Sequence, residues 1–347
     1  MEETEHLTSG ATHAMVRSGD YYSTFYGHRE KYLKSILRCL REFHSKNNAK
    51  PICIFLAGDS SLDNKAWLFQ DMMQTSEALN YDFYRGGKTY SAKSVNGYEQ
   101  ILVEPEGMVK DINYWLNYKL ERINQENSFN SEESMSFFSV NTAVEATTLA
   151  ERSGGCYMCC ACTFGKLLPS DTVILDNITE EDYLVVSLGG NDIALAPSIF
   201  TVIFLILILL CPYFLLFKCN PIVYYFVVLF KHQVQLYLKK VTKKRKPKKI
   251  GVCCIYYLDE VNGDSWANCA LFCLCYCTCP SVLQYRIKLI FELATSEIRL
   301  DGTEVIPIAL FDALDGKSTN DYVQRVEPSI YGGEKLATLI IQKMLSQ

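Results

Sequence analysis

The sequence predicts an α/β protein built on a parallel, doubly wound sheet, and three observations carry that reading. Short runs rich in Val and Ile, at 52–57, 183–188 and 305–310, are apolar at consecutive positions, as strands buried on both faces are. Between them lie longer stretches whose apolar residues recur at three- and four-residue intervals, the period of a helix. Polar islands follow the runs: Gly58-Asp59-Ser60, then Gly189-Gly190-Asn191-Asp192, and beyond a loop Val326-Glu327-Pro328-Ser329. Ligands of open parallel sheets bind in the crevice past the carboxyl ends of the strands. The islands are therefore expected to meet at one site, bringing a hydroxyl, an amide and a carboxylate together.

The elements can be justified in chain order. Residues 1–20 are acidic and polar and read as disordered; the folded domain is expected over 21–347. Tyr32, Ile36, Leu37, Leu40 and Phe43 have helical spacing, so a helix is expected over 30–43. Pro51 opens the first strand, and Asp63 is placed to cap a short helix after the Ser60 turn. Residues 80–110, rich in Gly, Tyr and Ser, read as a long loop. A helix over 111–123 leads to a second strand at 137–141, and a further helix is expected over 142–152. The third strand is 183–188, the fourth 251–258 and the fifth 304–310, with a helix at 281–296 before it. Strands alternating with helical crossovers indicate parallel pairing.

Composition narrows the function classes. The chain has 347 residues, 49% of them hydrophobic and 21% charged, an ordinary balance for a globular protein with a sizeable core. A net charge of −5 argues against nucleic acid as a partner. The N-terminal stretch lacks a secretory pattern, so a cytoplasmic rather than secreted protein is expected. Of the 15 cysteines, two clusters stand out: Cys156, Cys159, Cys160, Cys162, and Cys269, Cys273, Cys275, Cys277, Cys279. Cys156 and Cys159 have a zinc-ligand spacing, but no histidine lies near either cluster; no cofactor is expected, and a structural zinc joining the two clusters is the lesser reading beside free, packed thiols.

Residues 199–217 carry no charge and are long enough to span a membrane. A single crossing would separate Asn191 from Glu327, and Pro212 breaks a simple helix. Three readings stand: an apolar helical insertion over 193–238 that dips into one leaflet, with the basic run 239–249 at the headgroups, the same insertion packed as a hydrophobic cap, or a buried crossover. On the first, an anionic membrane surface is engaged through 199–249, each Lys or Arg there gaining roughly 1 kcal/mol.

A serine at a strand-to-helix turn is exposed, and backbone N–H groups nearby can hold a tetrahedral oxyanion. Asn191, ending a neighbouring strand, can donate to the same oxyanion. On these residues the chain resembles the SGNH (GDSL-type) hydrolases, a family of esterases, lipases and acyl hydrolases. Gly58-Asp59-Ser60 matches the family's first block, with Ser60 at the nucleophile position. Gly189-Gly190-Asn191-Asp192 matches its Gly-x-Asn-Asp block. Asn141-Thr142-Ala143-Val144-Glu145-Ala146-Thr147 resembles Asn-x-Gly-x-x-Gly-x with alanine at both glycines, and Ala146 retains the N–H such a site uses. The resemblance spans about residues 50–345 and implies a flavodoxin-like three-layer α/β/α sandwich around a central five-stranded parallel sheet, with an ester or lipid as substrate.

The last block departs from the pattern. In Val326-Glu327-Pro328-Ser329-Ile330-Tyr331-Gly332-Gly333, Glu327 stands where the family has histidine. Gln324 stands where its aspartate belongs, and the nearest aspartate is Asp321. The histidines are His6, His13, His28, His44 and His232, and none follows position 232. His232 reaches the site only if the apolar insertion folds over it. As a base, a glutamate of ordinary pKa is weaker than histidine by up to ~3 kcal/mol, a gap that burial narrows. Gln324 or Arg325 would then orient Glu327, while Asp59 and Asp192 support the turns. The competing reading makes Glu327 an acid at the start of the last helix and the protein an inactive scaffold that binds a ligand or a membrane.

Overall fold

The computed structural model describes residues 15–46, 49–72, 90–103, 107–128, 134–153, 165–194 and 221–346. Five strands form one parallel sheet: β1 (Lys50–Gly58), β2 (Met135–Asn141), β3 (Tyr183–Ser187), β4 (Lys249–Cys254) and β5 (Glu304–Ala309). Their spatial order is β2-β1-β3-β4-β5, all parallel. This is the flavodoxin-like order, in which the chain reverses direction across the sheet between β1 and β3 and opens a crevice there.

Strands β1 to β4 are buried on both faces beyond their first residues, and β5 is buried toward its end at Ile308 and Ala309. Along β1, Ile52, Ile54 and Leu56 face one helical layer, and Cys53, Phe55 and Ala57 face the other. The first layer holds α2 (Ile112–Ser128) and α7 (Ile330–Leu345), through Leu116, Leu120, Leu336, Ile340 and Met344. The second holds α1 (Glu30–His44), α3 (Pro169–Asn177), α4 (Pro221–Val227), α5 (Val234–Val241) and α6 (Pro280–Leu293). The architecture is a three-layer α/β/α sandwich.

Several elements differ from expectation. The helix expected over 142–152 is confined to Leu149–Ser153. Residues 142–148 form instead a turn in which Ala146 takes a left-handed φ of 59°. The fourth strand stops at Cys254, because Tyr256 turns away to donate to the Val326 carbonyl at 2.7 Å. Order begins before residue 20: Val16–Arg17 pairs with Leu102–Val103, and Tyr21 is wholly buried. Asp63 does not cap a helix. Its carboxylate accepts from the Gly27 and Glu145 N–H groups and pairs with Lys65 at 2.6 Å.

The apolar insertion is revised in part. Residues 221–241 run as α4, a π-helical segment (Val228–Gln233) and α5, and they are the crossover between β3 and β4. Phe226, Leu229, Val234, Tyr237 and Leu238 are buried in the core, so this part packs under the sheet. Residues 195–220, with most of the uncharged run, lie outside the described residues. Among the described residues no helix is long and apolar enough to cross a membrane.

Candidate active site

The turn bearing Ser60 is tied to its neighbours at three points. Gly58 ends β1 in register with Ser187, where a Cβ would collide with the Ser187 carbonyl oxygen; only glycine permits this approach. Asp59 N–H donates to that same oxygen at 3.2 Å. The Gly58 carbonyl accepts from Val144 N–H at 2.9 Å and from the Arg152 guanidinium at 2.6 Å. Arg152 is itself wholly buried and pairs with Asp171 at 2.7 Å, and Tyr237 donates to the same carboxylate. This ion pair braces the turn from beneath, and Ser60 is buried there rather than exposed as expected.

Two other loops close on the turn. Asn141 ends β2 and donates through Nδ2 to the Leu62 carbonyl, while its Oδ1 accepts from Ala143 N–H. After β3, Asn191 begins the short helix Asn191–Ala194, and its Nδ2 donates to the Thr147 carbonyl at 3.0 Å. Asp192 accepts from the N–H groups of Leu149 and Ala150, capping the helix there. The loop bearing Ala146 is thus clamped between the loops bearing Ser60 and Asn191. Among the described residues, the backbone N–H groups of Ser60 and Ala146 make no hydrogen bond. Unengaged backbone N–H groups on two adjoining loops are the kind of donor an oxyanion site uses.

The Glu327 carboxyl completes the group. It is buried, and the Ser60 hydroxyl lies against it closely enough to favour its ionised form. Glu327 and Pro328 pair antiparallel with Tyr322 and Val323, and Ser329 caps α7 by accepting from Gly332 N–H. Glu327 is therefore not the cap of the last helix. Burial drives its pKa well above the ordinary carboxylate range, and Asp59 adds to this.

One residue of this site was passed over in the sequence. Glu145, buried in the Ala146 turn, is held by its N–H to Asp63, and its carboxyl is in electrostatic contact with Glu327. Burial first, and then Glu327, push its pKa up strongly. The Oε2 atoms of Glu145 and Glu327 are both buried with no hydrogen-bond partner. Two carboxyls so placed do not both ionise readily at neutral pH. The available signal was a lone glutamate inside Thr-Ala-Val-Glu-Ala-Thr, a run otherwise small and uncharged.

The remaining candidates are engaged elsewhere. Asp59 accepts from the Ser61 N–H and hydroxyl, and burial lifts its pKa to about 6. Gly190 abuts Ile255 and approaches Asp59. Asp321 pairs with Lys335 at 2.6 Å. Gln324 accepts from Trp266 N–H, and Arg325 donates to Asn268, Cys277 and the Asp259 carbonyl. Neither Gln324, Arg325 nor Asp321 is directed at Glu327, contrary to expectation; φ values of 51° and 66° at Gln324 and Arg325 turn the chain there and carry their side chains away. His28 is buried against Tyr21, His44 bonds Ser136 and the Asn96 carbonyl, and His232 lies on the π-helical segment. No contact joins a described histidine to Ser60 or Glu327.

Among the described residues no group of His, Cys, Asp and Glu side chains is arranged to hold a metal. The cluster from Cys156 to Cys162 lies outside them. In the second cluster Cys269, Cys273, Cys275 and Cys279 are exposed free thiols.

No family model matches the chain, and no curated protein does. Solved structures similar to it include a carbohydrate acetylesterase from Sinorhizobium meliloti, at 12% identity and a TM-score of 0.39, covering 84% of this chain and 98% of that one. An acetylxylan esterase from Geobacillus stearothermophilus aligns at 12% identity and a TM-score of 0.36, covering 85% and 95%. An extracellular lipase from Streptomyces rimosus aligns at 11% identity and a TM-score of 0.36, covering 84% and 99%.

Proposed function

We propose that the protein is a divergent SGNH-like serine hydrolase acting on an ester, with Ser60 as nucleophile and Glu327 as base. The observation that carries this reading is the Ser60 hydroxyl set against a buried carboxyl, flanked by the free N–H groups of Ser60 and Ala146. Glu327 accepts the hydroxyl proton as Oγ attacks the acyl carbon. The oxyanion is held by the two N–H groups and by the Asn191 amide, whose second hydrogen remains after the bond to Thr147. Collapse returns the proton to the departing alkoxide and leaves an acyl ester on Ser60. Water then attacks that ester, giving its proton to Glu327, and the carboxylic acid departs as Ser60 recovers its own.

Burial, and then Asp59, raise the proton affinity of Glu327 toward the range of histidine, and Glu145, raised by its own burial and by Glu327, stays protonated when Glu327 is ionised. The test is hydrolysis of p-nitrophenyl acetate and butanoate. Ser60→Ala should abolish turnover, and Glu327→Gln should lower kcat/KM by about 10²- to 10⁴-fold. Glu327→His should retain or raise activity. Hydrolysis unchanged in Ser60→Ala, or no turnover in any form between pH 5 and 10, would instead favour an inactive ligand-binding scaffold.

A further inference from the structure

A second cavity opens beside this site, on the side of β3 and β4 that faces α4 and α6. Its volume is about 120 Å³, and its lining is almost wholly apolar. Its lining includes Gly190, the residue before Asn191, and Tyr256, whose hydroxyl donates to the Val326 carbonyl next to Glu327. Phe226, Phe230, Ile287 and Ile290 line it from α4, the π-helical segment and α6. A Cβ on Gly190 would lie between Ile255, which also lines the cavity, and the Asp59 carboxylate, so the cavity adjoins the turn that bears Ser60.

We infer that this cavity receives the acyl chain of the substrate, and that the chain it takes is short. The inference rests on the serine-hydrolase reading for the orientation of the ester. An acyl carbon bonded to Ser60 Oγ with its oxygen on the Ala146 N–H must direct its remaining substituent away from both, and an apolar substituent gains most by entering an apolar void. A cavity of about 150 Å³ takes one benzene, so this one accommodates roughly four to six carbon atoms. Each methylene that enters contributes about 0.8 kcal/mol, or about fourfold in kcat/KM if the gain is realised in the transition state. Longer chains meet Ile287 and Ile290 and gain nothing further.

The experiment measures kcat/KM for p-nitrophenyl esters from acetyl to dodecanoyl. In the wild type it should climb about fourfold per methylene to hexanoyl and then fall. Ile287→Trp, which fills cavity space from α6, should lower hexanoyl hydrolysis at least tenfold while leaving acetyl within threefold. Leu283→Trp, at the half-buried rim of the same cavity, is the second variant should the first not fold. A rate that rises without limit to dodecanoyl, or a variant that slows all esters equally, overturns the inference. A separate arm binds 1-hexanol to Ser60→Ala, followed by NMR. Binding lost in Ile287→Trp supports an alkyl pocket even if no ester is turned over, which would fault the hydrolase reading alone. Absence of binding overturns the pocket.

Discussion

At the scale of single residues, the account turns on two carboxyls that burial keeps protonated beyond their usual range. The base must be ionised to act, so kcat/KM should rise with pH through an inflection well above ordinary glutamate, near 4.3 in unperturbed form. Asp59→Asn removes the like charge that raises Glu327, and the inflection in pH–rate measurements should move to lower pH. An inflection unmoved by that substitution would separate Asp59 from the ionisation of Glu327. Ala146 is the other residue whose form shows its history: an alanine at φ 59° sits where glycine is at ease. Replacement by valine should destabilise by roughly 1–2 kcal/mol in denaturant titration, with Ala146→Gly neutral or better.

At the scale of elements, the strands and most helices could be read because their signals are local. A run such as Ile52–Ile54–Leu56 interleaved with Cys53–Phe55–Ala57 is apolar at every position because both faces are covered, and no partner need be known to see it. The Ala146 turn was misread as helix for the converse reason. Its conformation is imposed by bonds from Val144 to Gly58, Glu145 to Asp63 and Asn191 to Thr147, all distant in sequence. The same holds for Arg152, whose guanidinium reaches back to Gly58 across the fold. Among the described residues its guanidinium pairs with the carboxylate of Asp171, so Arg152→Met should cost about 3–5 kcal/mol and loosen the Ser60 turn. Thermal unfolding together with ester turnover measures both effects; a stable, active Arg152→Met would show the turn to be held otherwise.

For the whole molecule, the buried acids make stability depend on pH in a definite sense. Asp59 is raised to about 6 and Asp111 to about 7, each chiefly by burial, and Glu145 and Glu327 are raised further. Each binds its proton more tightly in the folded chain than in the unfolded one. Their contribution is fully present below the unfolded value near 4 and is lost as pH rises through the folded one. His28 acts oppositely: burial lowers it to about 3, so its contribution falls away as the pH drops from about 6.5 toward that value. Stability should therefore peak on the mildly acidic side and decline toward pH 8. Glu327→Gln should flatten that decline and raise stability at pH 8 by roughly 1–2 kcal/mol. Urea titrations across pH 5 to 9 measure this, and a wild-type curve that climbs steadily to pH 8 would contradict it. The pattern places activity and stability in opposition at one carboxyl, as expected where a strained site serves chemistry.

The most direct test of the central claim is the rate at which a fluorophosphonate labels Ser60, followed against pH in the wild type and in Glu327→Gln. The account expects a wild-type rate that rises through the raised carboxyl inflection, a Glu327→Gln rate at least a hundredfold lower without that inflection, and no labelling in Ser60→Ala. Equal rates in the wild type and Glu327→Gln would contradict it, because the serine would then owe nothing to the carboxyl that faces it.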